Sequence, residues 1–137
     1  MQNFIIVKPR FSDFNQQGLL KASTHLDLAC ESQLEQMSTR YNLPLPGFTA
    51  KGLRWHIADF KISYPKSIKG LNPIRIEADV VAVDDHAMIV DFGFFDESRE
   101  QKFAFGSIRF DLVGKDDLPT TIPNEVRESL VKNGRVK

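Results

Sequence analysis

Hydrophobic residues in this chain fall into two rhythms, and the change between them divides it. Phe4 to Val7 is a short apolar run that predicts a first strand, followed by Pro9 and a polar stretch from Ser12 to Gly18. Leu26, Cys30, Leu34, Met37 and Tyr41 then recur at steps of three and four, the spacing of one helical face. Thr24 and Asp27 stand at capping-box spacing before that face, and Pro44 and Pro46 end it. Beyond this point the period shortens. Leu53 to Tyr64 predicts a long strand whose apolar phase changes near Asp59, as a bulge would require. Ile74, Ile76, Ala78, Val80 and Ala82 alternate with charged neighbours and predict a half-buried strand. Asp84-Asp85-His86 connects it tightly to Met88–Phe95, and Asp96 to Glu100 turns the chain into Phe103–Leu112. Pro123 suits the first turn of a short last helix over Asn124–Val131.

The element order is therefore one strand, one long helix, four long strands and a short helix. Sequential strands joined by short loops imply an antiparallel sheet, and the single apolar helical stripe needs that sheet to cover it. The expectation is an α+β layer, and several folds satisfy it.

Composition narrows the class. At 137 residues the chain has the size of one domain, so residues 1–137 are read as a single domain. Basic and acidic residues balance at eighteen each, leaving no global field to recruit nucleic acid or an anionic membrane. Cys30 is the only cysteine, which excludes an internal disulfide and a multi-cysteine zinc site. With no signal-like N-terminus and no long apolar span, a soluble cytoplasmic protein is expected. His56 and His86 lack metal-ligand spacing, so no metal is expected.

The stretch Phe11-Ser12-Asp13-Phe14-Asn15-Gln16-Gln17-Gly18, between the first strand and the helix, carries a resemblance. It resembles the Asp-x-Asp-x-x-Gly loop of the 4-hydroxybenzoyl-CoA thioesterase-like hotdog family. Ile62-Ser63-Tyr64-Pro65-Lys66 is similar to the family's strand–proline–strand passage, and Ile122-Pro123 to its close before a terminal helix. The resemblance implies a hotdog fold, a sheet wrapped around one central helix. It also implies an acyl-CoA or acyl-carrier-protein thioesterase without a cofactor, assembled as a homodimer or homotetramer.

The chain departs from that pattern at the reactive position. Where the loop usually holds its second carboxylate, this chain has Asn15, and a neutral amide is neither general base nor nucleophile at neutral pH. It is closer to Asn-containing members that release polyketide or polyunsaturated fatty acyl chains. Counted without gaps, their helix tyrosine and arginine fall on His25 and Gln33, so the likeness stops at Asn15.

The resemblance makes Asn15 a candidate for water positioning or oxyanion binding, with a turn residue as its plainer reading. His25 or Glu31 is the candidate weak base, Glu31 being otherwise a solvated or interface residue. The amides of Leu19, Leu20, Lys21 and Ala22 are candidate oxyanion donors at the helix start, in competition with capping by Ser23 or Thr24. Asp13 and Gly18 are assigned to shaping the loop. Tyr64, Lys66 and Lys69 are candidate substrate-binding residues, with Lys51 a further cation. Cys30, on the apolar stripe, is expected to be a buried small hydrophobe. Two rivals stay open: a non-catalytic acyl-thioester-binding module, and a dehydratase or hydratase.

Overall fold

The computed structural model describes residues 2–136. Five antiparallel strands form one sheet: β1 (Phe4–Val7), β2 (Arg54–Ser63), β3 (Ile74–Val83), β4 (Ala87–Asp96) and β5 (Lys102–Val113). Their spatial order is β1-β3-β4-β5-β2, so β1 and β2 are the free edges. The expected phase change in β2 is a register shift between Ile57 and Asp59 against β5. It keeps Trp55 and Ile57 on the same side of the sheet as Phe60 and Ile62. A second shift, between Val80 and Ala82 of β3, left no mark in the alternation.

The long helix, α1 (Ala22–Thr39), lies across one face of this sheet. Its buried face matches the expected stripe only toward the C-terminal end, at Met37 and, just past the helix, Tyr41. Leu28, Ala29, Ser32, Gln33, Gln36 and Met37 face the sheet, whereas Leu26 and Cys30 are half-buried and Leu34 is exposed. The reason is internal hydrogen bonding. Ser32 Oγ donates to the Ile76 carbonyl at 2.9 Å, and Gln36 Nε2 donates to the Asn3 carbonyl at 2.9 Å. Polar side chains with such partners can be buried at little cost. The capping box is also absent. The helix begins at Ala22 with Lys21 as an uncapped N-cap, and Thr24, already inside the first turn, bonds the Asp13 carbonyl instead.

A six-residue helix, α2 (Leu45–Ala50), follows Pro44 and was not anticipated from its proline-rich sequence. Phe48, buried within it, meets Trp55 edge-on at 5.7 Å. The last helix, α3 (Asn124–Asn133), takes Pro123 as its N-cap. Beyond the end of β1, the bare edge of β3 is closed by the tail of α3, where Arg135 N–H donates to the Val80 carbonyl at 2.8 Å. Arg40, at the end of α1, reaches the same place. Its guanidinium meets Asp79 at 2.8 Å and donates to the carbonyls of Asn133 and Ala78 at 2.7 and 3.1 Å. One side chain thus ties α1, β3 and α3 together.

Candidate functional site

The loop between β1 and α1 is held open by its own polar residues. The Asp13 carboxylate accepts the Arg10 backbone N–H at 2.7 Å and also meets the Arg10 guanidinium. The Asp13 carbonyl accepts the Lys21 N–H at 2.9 Å, closing the loop onto the helix start. Between these anchors the chain turns tightly from Asn15 to Leu19, with the Asn15 N–H donating to the Leu19 carbonyl at 2.8 Å. Gly18 has φ +76°, a left-handed conformation that a side chain would strain.

Asn15 holds this turn with one end of its amide. Its Oδ1 accepts the Gln17 and Leu19 amides at 2.9 and 3.1 Å, while Nδ2, on the exposed side, donates to no acceptor among the described residues. The turn role and a chemical role are therefore divided between two atoms. Oδ1 builds the loop and Nδ2 remains a free donor.

The four expected oxyanion donors fare differently, and three need correction. The Leu19 amide is taken by Asn15 and the Leu20 amide by the Ile68 carbonyl at 3.0 Å. The Lys21 amide is taken by Asp13. These donors lie before the helix, where loop pairing consumes them. Ala22 and Ser23, the first two helical residues, donate to no protein acceptor among the described residues. No side chain caps this end, so its amides and the positive pole of an eighteen-residue helix stay open.

His25 lies one turn further in and is buried, 3% exposed. Its Nδ1 sits 2.9 Å from the Lys21 carbonyl. A carbonyl only accepts, so Nδ1 carries the proton and Nε2 presents a lone pair. Nε2 is buried and has no partner. The ring meets Tyr64 edge-on at 4.9 Å and Phe94 at 5.1 Å. Burial pushes its pKa below 6.5, partly offset by the bond to Lys21. The ring is then neutral at pH 7.

A depressed histidine pKa links stability to pH. Between the folded pKa and 6.5 the unfolded chain binds the proton and the folded chain does not, so stability falls as pH drops through that window. Urea melts at pH 7.5 and 5.5 should show a loss that His25→Gln largely removes. An equal loss in the variant would move the acid sensitivity to other groups.

Tyr64 follows β2 and is half-exposed, and its loop pairs with the site. Lys69 bridges to Leu19 next to the Leu20–Ile68 bond. The fold thus gathers Asp13, Asn15, Gly18, the helix start, His25, Tyr64 and Lys69 at one end of α1. Lys66 is exposed on the same loop, tied by its amide to Phe103.

Glu31 is not brought there. It lies exposed on the flank of α1, lining one groove of about 520 Å³ against β1 and another of about 570 Å³ with Leu34 and Ile57. Lys51 sits past α2, within 3.9 Å of Glu125. The acidic Asp84–His86 hairpin joins β3 and β4 at the end opposite Phe94. Cys30 is half-buried rather than core, and burial with the nearby Asp27 charge pushes its thiol up to about 11. Such a thiol is a poor nucleophile at neutral pH. Among the described residues no three His, Cys, Asp or Glu side chains are arranged to hold a metal, and no helix is long and apolar enough to cross a membrane.

Gln33 carries no sequence signal beyond its place in the count from Asn15. It is fully buried, with Nε2 against the sulfurs of Met37 and Met88 at 3.4 and 3.9 Å and Oε1 unpartnered. The positions that the Asn-containing members fill with tyrosine and arginine are therefore both interior in this chain.

No family model and no curated protein matches the sequence. Solved structures do match the fold. A 1,4-dihydroxy-2-naphthoyl-CoA thioesterase from Synechocystis superposes with TM-score 0.83 at 10% identity, covering 93% of each chain. A DHNA-CoA thioesterase from Staphylococcus aureus gives 0.87 at 13%, covering 95% of this chain and 89% of its own. A hypothetical protein from Thermus thermophilus gives 0.88 at 14%, covering 96% and 99%. The chain has the hotdog fold.

Proposed function

We propose that the protein hydrolyses acyl thioesters, with a fatty or polyketide-type acyl group carried on CoA or on a carrier protein. The observation that carries this reading is the set of unused groups at one helix end. A neutral histidine with a bare lone pair lies one turn from two free helix amides, beside a loop amide with free donors. Those are the parts a hydrolysis needs. His25 Nε2 takes a proton from water as the oxygen attacks the thioester carbonyl. Asn15 Nδ2 and the Ala22 and Ser23 amides hold the tetrahedral oxyanion. The carbon–sulfur bond then breaks, and the proton on His25 goes to the departing thiolate. Nε2 is buried and the ring is packed against Tyr64 and Phe94, so reaction requires a side chain there, the half-exposed Tyr64 first, to turn aside. Thioesterases with this fold, named for CoA substrates, support the reading by analogy.

Thiol release tests it, measured over short, medium, long and aromatic acyl-CoAs and the corresponding carrier-protein thioesters. Turnover of at least one class is expected, with an acid limb below pH 6.5. Tight acyl-CoA binding without release would instead favour the binding-module reading, which the missing carboxylate at Asn15 supports. Among the described residues no carboxylate bonds His25, so a dehydratase pair gains no support.

We further propose a homodimer, with pairing of two such dimers as the larger assembly. The half-exposed stripe Leu26, Cys30 and Leu34 shares its groove with Ile57 of the free edge β2, and bare edges and apolar stripes call for cover. Leu34→Asp with Ile57→Asp should give a folded monomer by light scattering, since these side chains are 39% and 38% exposed in the single chain. An unchanged mass would place the contact elsewhere.

A further inference from the structure

We infer that the rim of this site docks an acidic protein that presents the thioester on a flexible arm; the inference rests on the thioesterase reading. The chain as a whole is neutral, but the charge is unevenly placed. The two segments that build the site, residues 8–21 and 64–73, carry Lys8, Arg10, Lys21, Lys66 and Lys69 against the single carboxylate of Asp13. That carboxylate is 8% exposed and already bonded to Arg10.

Backbone bonds keep these cations together. Asp13 is joined through its main chain to both Arg10 and Lys21, and Leu19 pairs with Lys69. Lys8, Lys21, Lys66 and Lys69 have no carboxylate within ion-pair distance among the described residues. In the nearby β4–β5 turn Arg99 bonds Glu77 and Asp96 bonds the Gln101 amide; Glu97 and Glu100 add two carboxylates there and Lys102 one cation, which leaves the cations of this end in excess. At the far end of the sheet Asp84, Asp85, Asp116 and Asp117 stand among Arg54, Arg109, Lys115 and Arg127, three of which pair with them, so no such excess of cations builds up there. The molecule therefore turns a positive end outward around the helix start, where a negative partner is steered toward the site.

Phe11 selects a protein over a small polyanion. It sits between Arg10 and Asp13 and is 87% exposed, the most exposed large apolar side chain of the described residues. Leu71, two residues beyond Lys69, is 45% exposed. Phosphates of a nucleotide need donors and its base can stack on one ring, which would leave Leu71 without a use. A protein surface uses both, an aromatic anchor within a charged rim.

The test offers one medium-chain acyl group in three forms: as the neutral N-acetylcysteamine thioester, on CoA, and on a small acidic acyl carrier protein. The carrier form should have the highest kcat/KM, and high salt should erase its advantage over the neutral thioester. Lys21→Glu with Lys69→Glu should cut the carrier-to-neutral ratio about tenfold, mostly through KM. Phe11→Ala should lower the same ratio, and Lys21→Ala with Lys69→Ala repeats the test with a milder change.

A salt-sensitive advantage for CoA and none for the carrier would assign the rim to nucleotide phosphates and overturn the inference. So would equal rates on all three, or a Phe11→Asp variant that changes oligomeric mass while the carrier KM stays constant. Anisotropy of the labelled carrier protein separates docking from chemistry. Salt-sensitive binding without hydrolysis of any thioester would sustain the docking surface and sink the thioesterase reading. Hydrolysis of the small thioesters without carrier binding would do the reverse.

Discussion

Asn15→Ala is expected to lower kcat for thioester hydrolysis by roughly 10²–10³, as removal of one oxyanion donor does elsewhere. Alanine removes two things at once, because Oδ1 also holds the Gln17 and Leu19 amides. Asn15→Asp separates them. A carboxylate at nearly the same volume keeps both acceptor bonds and strengthens them by charge, but has no N–H to offer the oxyanion. The aspartate variant should therefore also be slow, since its charge opposes the one that develops on the substrate. Wild-type kinetics in Asn15→Asp beside a slow Asn15→Ala would reduce Asn15 to a turn residue. A large gain in Asn15→Asp over an inactive parent would show a site still built for a carboxylate, and would favour the binding-module reading.

Arg40→Ala is expected to cost about 3–5 kcal/mol of stability, the range for breaking a buried ion pair by removing one partner. The substitution leaves Asp79 buried and strips donors from the Ala78 and Asn133 carbonyls and from Gln36 Oε1. Arg135 and Asn3 still reach Asp79 at 3.3 and 3.2 Å, which places the loss toward the lower end. Arg40→Lys should recover part of it, because a lysine restores the charge but not the fork that spans three acceptors. Urea denaturation measures both. A loss under about 1 kcal/mol, the value of a surface pair, would mean that α3 is not locked to the sheet through this residue.

Strands were the most legible part of this chain. Alternation of Ile74, Ile76, Ala78 and Val80 with Arg75, Glu77 and Asp79 states a half-buried strand without help from its neighbours, and the change of phase near Asp59 states a bulge. The stop after α1 and the start of α3 were readable for the same local reason, since proline constrains its own backbone. The loop that carries Asp13, Asn15 and Gly18 could be placed between β1 and α1 by order alone. The six-residue α2 could not, because Pro44 and Pro46 end one helix and start another with the same chemistry.

What remained illegible shares one physical cause. Helical spacing offers several faces to bury, and which one wins depends on where polar side chains find partners. Ser32 and Gln36 go inside because Ile76 and Asn3 accept from them, and Leu34 is left outside as a result. The same holds at the site. Leu20 loses its amide to Ile68, forty-eight positions along the chain, while Ala22 and Ser23 keep theirs. His25 loses its solvent because Tyr64 and Phe94, distant in sequence, pack against its ring. By itself the sequence determined the order of the elements and the loop where the unused chemistry collects, because local backbone preference and side-chain periodicity are properties of neighbours. Only the tertiary structure decided which donors and lone pairs in that loop stay unspent, because hydrogen-bond satisfaction is a property of residues that meet in space.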